Sequence, residues 1–145
     1  MNPRILIGCP TCDLYEYSLQ RYIDAVKKID YDNFDLILVD NSKNNEYVKK
    51  IEKLGIKVIK GPWHENVKKR IVDSRNLLRD YAIENGYDYL LSLEQDVLPP
   101  EDVIKQLLSR DEYIVSGVYF AYNVNNGVRM LAPLLWKGIG KNEVM

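Results

Sequence analysis

Cysteine and histidine are scarce in this chain. Its 145 residues include two Cys, at positions 9 and 12, and one His, at position 64. No disulfide framework is needed, because a domain of about 150 residues buries about 70% of its unfolded surface and builds a real core unaided. Long apolar runs are also missing: none approaches the roughly 18 residues of a membrane span. The N-terminal Met1-Asn2-Pro3-Arg4 lacks the apolar stretch of a secretory signal, which points to a cytoplasmic chain. Net charge is nearly absent, with 20 basic against 21 acidic residues giving −1, and this argues against a dedicated nucleic-acid binder. What is present, 46% hydrophobic and 28% charged residues, is ordinary globular composition and excludes disorder. One domain spanning residues 1–145 is the expectation.

The charges are unevenly placed. Between Lys43 and Arg79 there are eleven Lys/Arg against four Asp/Glu, whereas between Asp80 and Glu112 there are nine acids against two bases. A basic segment beside an acidic one suits a diphosphate and its metal respectively, although Lys49, Lys50, Lys53, Lys68 and Lys69 also read as solvated helix faces. The sharpest feature lies in the acidic half. Tyr89 to Leu93 is an apolar run that ends in Glu94-Gln95-Asp96, followed by Pro99-Pro100-Glu101-Asp102. The run reads as a buried strand and the proline pair as the first turn of a helix, so Glu94 and Asp96 fall at a strand's C-terminal edge, where ligands of open α/β sheets bind. Hard oxygen ligands there suit Mg²⁺ or Mn²⁺. The bland alternative is that the two acids merely solubilise a strand end.

The rest of the chain alternates regularly. Arg4 to Gly8 reads as a first strand ending in the turn-like Cys9-Pro10-Thr11. Leu19, Tyr22, Ile23 and Val26 mark one face of a helix. Phe34 to Val39 is a second strand, tipped by Asp40-Asn41-Ser42, and Tyr47, Ile51 and Leu54 mark a second helix stopped by Gly55. Ile56 to Ile59 is a short third strand, followed by the loop Gly61 to Asn66. Val67, Ile71, Leu78, Tyr81 and Ala82 share a face of a long helix that Asn85-Gly86 ends. Val103, Ile104, Leu107 and Leu108 mark a fourth helix, Tyr113 to Phe120 reads as a strong strand, and no regular element is predicted beyond it. This order predicts an α/β fold, a three-layer αβα sandwich with a mostly parallel, Rossmann-like sheet. Its three polar strand ends should share one rim.

Four stretches resemble the nucleotide-sugar-dependent glycosyltransferases of the A-type fold, especially the inverting family two. Ile5-Leu6-Ile7-Gly8-Cys9-Pro10-Thr11 is similar to that family's first strand and nucleotide loop, and Leu36 to Ser42 to its V-D-x-S element. Ser74-Arg75-Asn76 is similar to the A-R-N at the start of its central helix, and Tyr87 to Asp96 to the stretch ending in D-x-D. The resemblance implies a nucleotide-sugar site made of Pro10, Thr11, Asp40, Arg75, Glu94 and Gln95, with Asp40 on the base or ribose and Arg75 on the base or diphosphate. It also implies a divalent Mn²⁺ or Mg²⁺ on Asp96, with Glu94, longer than the family's first acid, on the metal, a metal-bound water or the ribose. A nucleotide diphosphate sugar would be the donor, and the acceptor, a saccharide, lipid or protein, stays open. Family members continue into an acceptor half with the catalytic base. The sequence stops at Met145, so the resemblance implies a donor-binding half that is truncated or completed by a homo-oligomer or partner chain, with no catalytic residue assigned.

Two other readings compete. One is a non-catalytic module that holds a nucleotide sugar without turnover, in which His64 serves a phosphate. The other is a thioredoxin-like disulfide exchanger, because Cys9-Pro10-Thr11-Cys12 is a C-x-x-C between a strand and a helix.

Overall fold

The computed structural model describes residues 2–117, 120–125 and 128–133, the last two stretches as backbone. The chain divides into two compact units, Met1–Lys105 and Gln106–Met145. In the first, β1 (Ile5–Thr11), α1 (Glu16–Lys27), β2 (Phe34–Asp40), α2 (Glu46–Lys53), β3 (Lys57–Lys60), α3 (Val67–Glu84) and β4 (Tyr89–Ser92) follow in strict alternation, and α4 (Val103–Leu108) runs across the division. A single 3₁₀ turn, Asp13–Tyr15, leads into α1.

The four strands form one parallel sheet in the order β3-β2-β1-β4. Crossovers between parallel strands of one sheet are right-handed in about 98% of cases. The chain moves one way from β1 through β2 to β3, which sets α1 and α2 on one face. It then returns past β1 to β4, which sets α3 on the other. The side chains agree with this geometry. Leu6, Ile37 and Val39 pack with Leu78 and Ala82 of α3, while Cys9, on the opposite face of β1, is buried on the side of Tyr22 of α1, whose hydroxyl influences its thiol. The three-layer α/β expectation therefore holds. Sandwiched on both faces, β1 buries all seven of its residues, which explains why it reads as continuous apolar sequence rather than an alternating one.

Several local signals act as read. Leu19, Tyr22, Ile23 and Val26 are all buried, and α3 ends with Asn85 as cap and Gly86 at φ 66, a conformation that costs glycine nothing. Asn66 caps the start of α3 by accepting from the Lys69 amide at 3.2 Å, the usual use of a short polar side chain there. Other expectations need adjustment. Leu54 is 39% exposed because α2 stops one residue before it. Among the described strands β4 lies at the edge of the sheet, and Tyr89 and Leu90 are exposed even though their run reads as buried.

The largest correction concerns Tyr113 to Phe120. Tyr113 and Ile114 form a bend and are exposed, residues 118 and 119 lie outside the described residues, and β5 is described from Phe120. β5 (Phe120–Asn125) pairs antiparallel with β6 (Val128–Pro133) in a separate two-stranded sheet. Apolar, β-branched sequence needs a pairing partner to become a strand, and Tyr113 to Gly117 has none among the described residues. In sequence Asn126-Gly127 stands between these two segments, and Asn-Gly between apolar runs is a strong hairpin signal.

Candidate functional site

The strand order creates a crevice. Because the chain leaves β1 in opposite directions, β1 and β4 flank a topological switch point, and their C-terminal ends open where open α/β sheets take ligands. Thr11 ends β1 in register with Asp40 at the end of β2, and β4, paired through Ser92 with Gly8, runs directly into Glu94-Gln95-Asp96. Asp40 and Asp96 thus stand on one rim, as the alternation predicts.

Beyond β4 the backbone makes a tight turn in which the Val97 amide donates to the Glu94 carbonyl at 3.0 Å. Its entry is clamped: the Leu93 amide donates to the Gly8 carbonyl at 3.0 Å and the Tyr22 hydroxyl to the Leu93 carbonyl at 3.2 Å. The turn sends its three side chains to different fates. Asp96 is exposed and carries no hydrogen bond or ion pair among the described residues. Glu94 is half-buried, and its Oε1 accepts from Arg75 Nη2 at 2.6 Å. Gln95 points inward and is 2% exposed. Its carbonyl accepts from the Thr11 hydroxyl, and its amide donates to the Tyr15 carbonyl at 2.7 Å and to Ser18 Oγ at 3.3 Å. The Asp96 charge reaches its surroundings: burial first, and Asp96 next, push the Tyr15 hydroxyl up.

Asp40 is fully buried, and both of its oxygens are engaged. Oδ1 accepts from the Ser42 amide at 3.0 Å and from Ser42 Oγ at 2.5 Å, and Oδ2 accepts from Lys60 Nζ at 2.6 Å. Lys60 also donates to the carbonyls of Ser42 and Asn44, at 2.5 and 2.8 Å. One ammonium therefore ties three oxygens of the loop after β2. Nothing in sequence spacing marks Lys60 as a partner for Asp40; only the adjacency of β3 to β2 brings them together. Gly61 follows, and a Cβ there would lie 3.0 Å from Val39 Cγ1 and 3.4 Å from the Asp40 carbonyl, so a larger residue would require Val39 to give way where the loop crosses β2.

Arg75 lies in the third turn of α3 rather than at its start. Ser74 beside it is fully buried, donates to the Arg70 carbonyl at 2.8 Å and accepts from Asn41 Nδ2 at 3.2 Å, joining α3 to the Asp40 loop. One turn earlier on the same helix face, Arg70 Nε is buried with no hydrogen-bond partner among the described residues. It was not singled out from the sequence, and only the packing reveals it. Lys68, Lys69 and Arg70 crowd the first turn of α3, which carries no acid. That arrangement opposes the helix dipole, which favours anions at this end.

His64 does not stand free to meet a phosphate: its Nε2 lies 2.9 Å from Asp73 Oδ2, which Lys69 Nζ also meets at 3.0 Å. The Lys69 hydrogen bond, with His64 adding to it, holds the Asp73 carboxyl below its ordinary range. Trp63 is 38% exposed, with Lys43 Nζ 5.3 Å from its ring centroid. Pro10 is buried within β1. Cys9 and Cys12 are unpaired and buried, and burial pushes the Cys9 thiol far up, with Glu94 and Asp96 raising it further. A disulfide exchanger needs the opposite shift, so the C-x-x-C reading has no support here.

Among the described residues no three His, Cys, Asp or Glu side chains gather into a metal cage. The donor set fits another mode, in which Mg²⁺ or Mn²⁺ takes one or two carboxylates and substrate phosphates complete the shell. Asp96 is the available carboxylate, and Glu94 is the second, partly neutralised by Arg75. Among the described residues no helix is long and apolar enough to cross a membrane.

Comparison with known proteins agrees with this geometry. The chain superposes on a crystal structure of S. aureus TarS with a TM-score of 0.51 and 19% identity, over 73% of this chain and 19% of that one. The likeness extends to the fold, and the chain spans about a fifth of TarS. No curated protein matches the sequence. Residues 9–143 match Glycosyl transferase family 2, and with nearly the whole sequence inside that match, the chain belongs to this family.

Proposed function

We propose that this chain binds the nucleotide diphosphate sugar of a family-two sugar transfer, with Mg²⁺ or Mn²⁺ at Asp96 and Glu94. The observation that carries the proposal is an exposed, unpaired Asp96 on the same rim as a basic helix start whose Arg70 Nε–H is buried without an acceptor. A buried donor left unmade costs about 1–3 kcal/mol, which an anionic oxygen would recover. Acid and base on one rim suit a metal and a diphosphate respectively.

Departure of the diphosphate places negative charge on its oxygens as the C–O bond to the sugar breaks. When bound, the divalent ion supplies Lewis-acid stabilisation of that charge. Arg75 and Arg70 donate charge-assisted hydrogen bonds to the anion. Thr11 and Pro10 form the floor at the end of β1. Asp40, with both oxygens already engaged, shapes the nucleoside pocket by holding the 40–44 loop rather than by direct contact. Transfer to a saccharide, lipid or protein acceptor is the further step proposed for this donor site.

Titration calorimetry with uridine diphosphate, with and without Mn²⁺, tests the reading on the parent and on Asp96→Asn. The variant should weaken metal-assisted binding by about 1–3 kcal/mol, the scale of losing a hydrogen-bonded charge, and leave metal-free binding unchanged. Equal affinity in all four conditions returns the acidic strand end to a solubilising role.

A further inference from the structure

We infer that Gln95 is the positioning residue of the carboxylate pair: it fixes Glu94 and Asp96 at the rim by anchoring the turn between them to β1, α1 and α2 at once. The inference rests on the donor-binding reading above and assigns Gln95 a role inside the protein rather than on the nucleotide sugar.

A primary amide has two acceptor lone pairs and two N–H donors. The Gln95 carbonyl takes the Thr11 hydroxyl from β1, and its amide nitrogen donates to the Tyr15 carbonyl and to Ser18 Oγ at the start of α1. The Tyr47 hydroxyl of α2 lies 3.4 Å from the carbonyl oxygen and 3.2 Å from the amide nitrogen. Thr11, Ser18, Tyr47 and Gln95 are all buried, so these bonds form in a medium where leaving one unmade is expensive. No single strand or helix supplies all these partners, and the one side chain that joins them sits between the two carboxylates.

The residue type follows from the position. Glutamine reaches from the rim to α1 and α2 without carrying charge, whereas a carboxylate in this buried place would pay heavily for desolvation. A turn whose middle side chain is locked inward must present its neighbours outward. Glu94 and Asp96 then meet a cation with little left to order, and preorganisation of this kind raises affinity by lowering the entropic cost of binding.

The test is Gln95→Met, which keeps length and volume but removes all the polar anchors. Two readouts are taken on the whole chain: Mn²⁺-dependent and metal-free affinity for uridine diphosphate, and amide hydrogen exchange of Leu93 and Val97 against α3. The expected result is a loss of about tenfold in metal-dependent affinity, metal-free affinity within about twofold, and faster exchange at the turn alone, because ordering lost from the free protein must be recovered on binding. A folded variant with parental metal-dependent affinity and parental exchange overturns the inference. If the parent itself shows no Mn²⁺-dependent affinity, the donor reading fails, and the exchange result alone decides whether Gln95 positions the turn. If Gln95→Met does not fold, Tyr47→Phe and Ser18→Ala each remove one anchor. A loss of about threefold in metal-dependent affinity from either supports the inference, and no change in both overturns it.

Discussion

At the edge where the strands begin, Arg4, Asp35, Tyr87 and Asp88 form a polar cluster open to solvent. The Arg4 guanidinium donates to Asp35 at 3.1 Å, to the Asn85 carbonyl at 2.9 Å and to the Tyr87 hydroxyl at 3.2 Å, and it stacks 4.1 Å from the Tyr87 ring. Where the strands end, Asp40, Lys60, Gln95, Thr11 and Ser74 make comparable bonds, but all except Lys60 are buried. Similar chemistry thus faces different dielectric surroundings. The open edge fastens the start of β1 to neighbouring segments with bonds that water can replace. The closed edge depends on bonds that water cannot reach, so each lost partner leaves a group stranded. The basic and acidic groups proposed to meet a ligand are arranged around that closed edge.

The largest effect that would break this contrast comes from Lys60→Met. Removing one partner of a buried pair commonly costs 3–5 kcal/mol, and with Lys60 partly exposed about 2–4 kcal/mol is expected here. Urea denaturation measures it, and a change under half a kcal/mol would put Asp40 in the same class as the open edge. Gly8→Ala comes next. A Cβ there would lie 3.0 Å from Leu78 Cδ2 and Leu90 Cδ1, side-chain ends that can shift, so about 1–2 kcal/mol of overpacking cost is expected in the same assay.

At the open edge, Tyr87→Phe keeps the ring under Arg4 and removes the 2.7 Å bond to Asp35, for about 0.5–1.5 kcal/mol. The pH dependence sharpens this prediction. Burial, with Asp35 adding to it, pushes the Tyr87 hydroxyl up to about 12. Its contribution is therefore complete below the unfolded value of about 10 and is lost as pH rises from there toward 12. Denaturation across that window should show a smaller alkaline loss in the phenylalanine variant than in the parent. The same hydrogen bond, with Arg4 helping, holds the Asp35 carboxyl below its ordinary range. Its contribution is present above the ordinary value and fades as pH falls through the lowered one. Asp35→Asn is the smallest change, since the Arg4–Asp35 pair is about half exposed on both sides. A loss of under about 1 kcal/mol near neutral pH, reduced further by salt, is expected.

By itself the sequence determined the elements that make their own signal. Period and capping placed α1 and α3, Gly86 closed α3, and a parallel sheet with Asp40 and Asp96 on one rim followed from alternation alone. Asp96 was legible because a carboxylate that ends an apolar run announces itself. Tertiary structure decided what each polar residue does. Strand order brought Lys60 onto the buried Asp40, an ion pair that nothing local in the sequence marks. Four elements met around Gln95, and Arg75 turned to Glu94. With no strand pairing them among the described residues, Tyr113 and Ile114 are exposed despite strand-like sequence. The physical reason is common to these cases: period and propensity are local and repeat along the chain, whereas hydrogen-bond partners and burial belong to residues up to 84 positions apart and exist only once the sheet has brought them together.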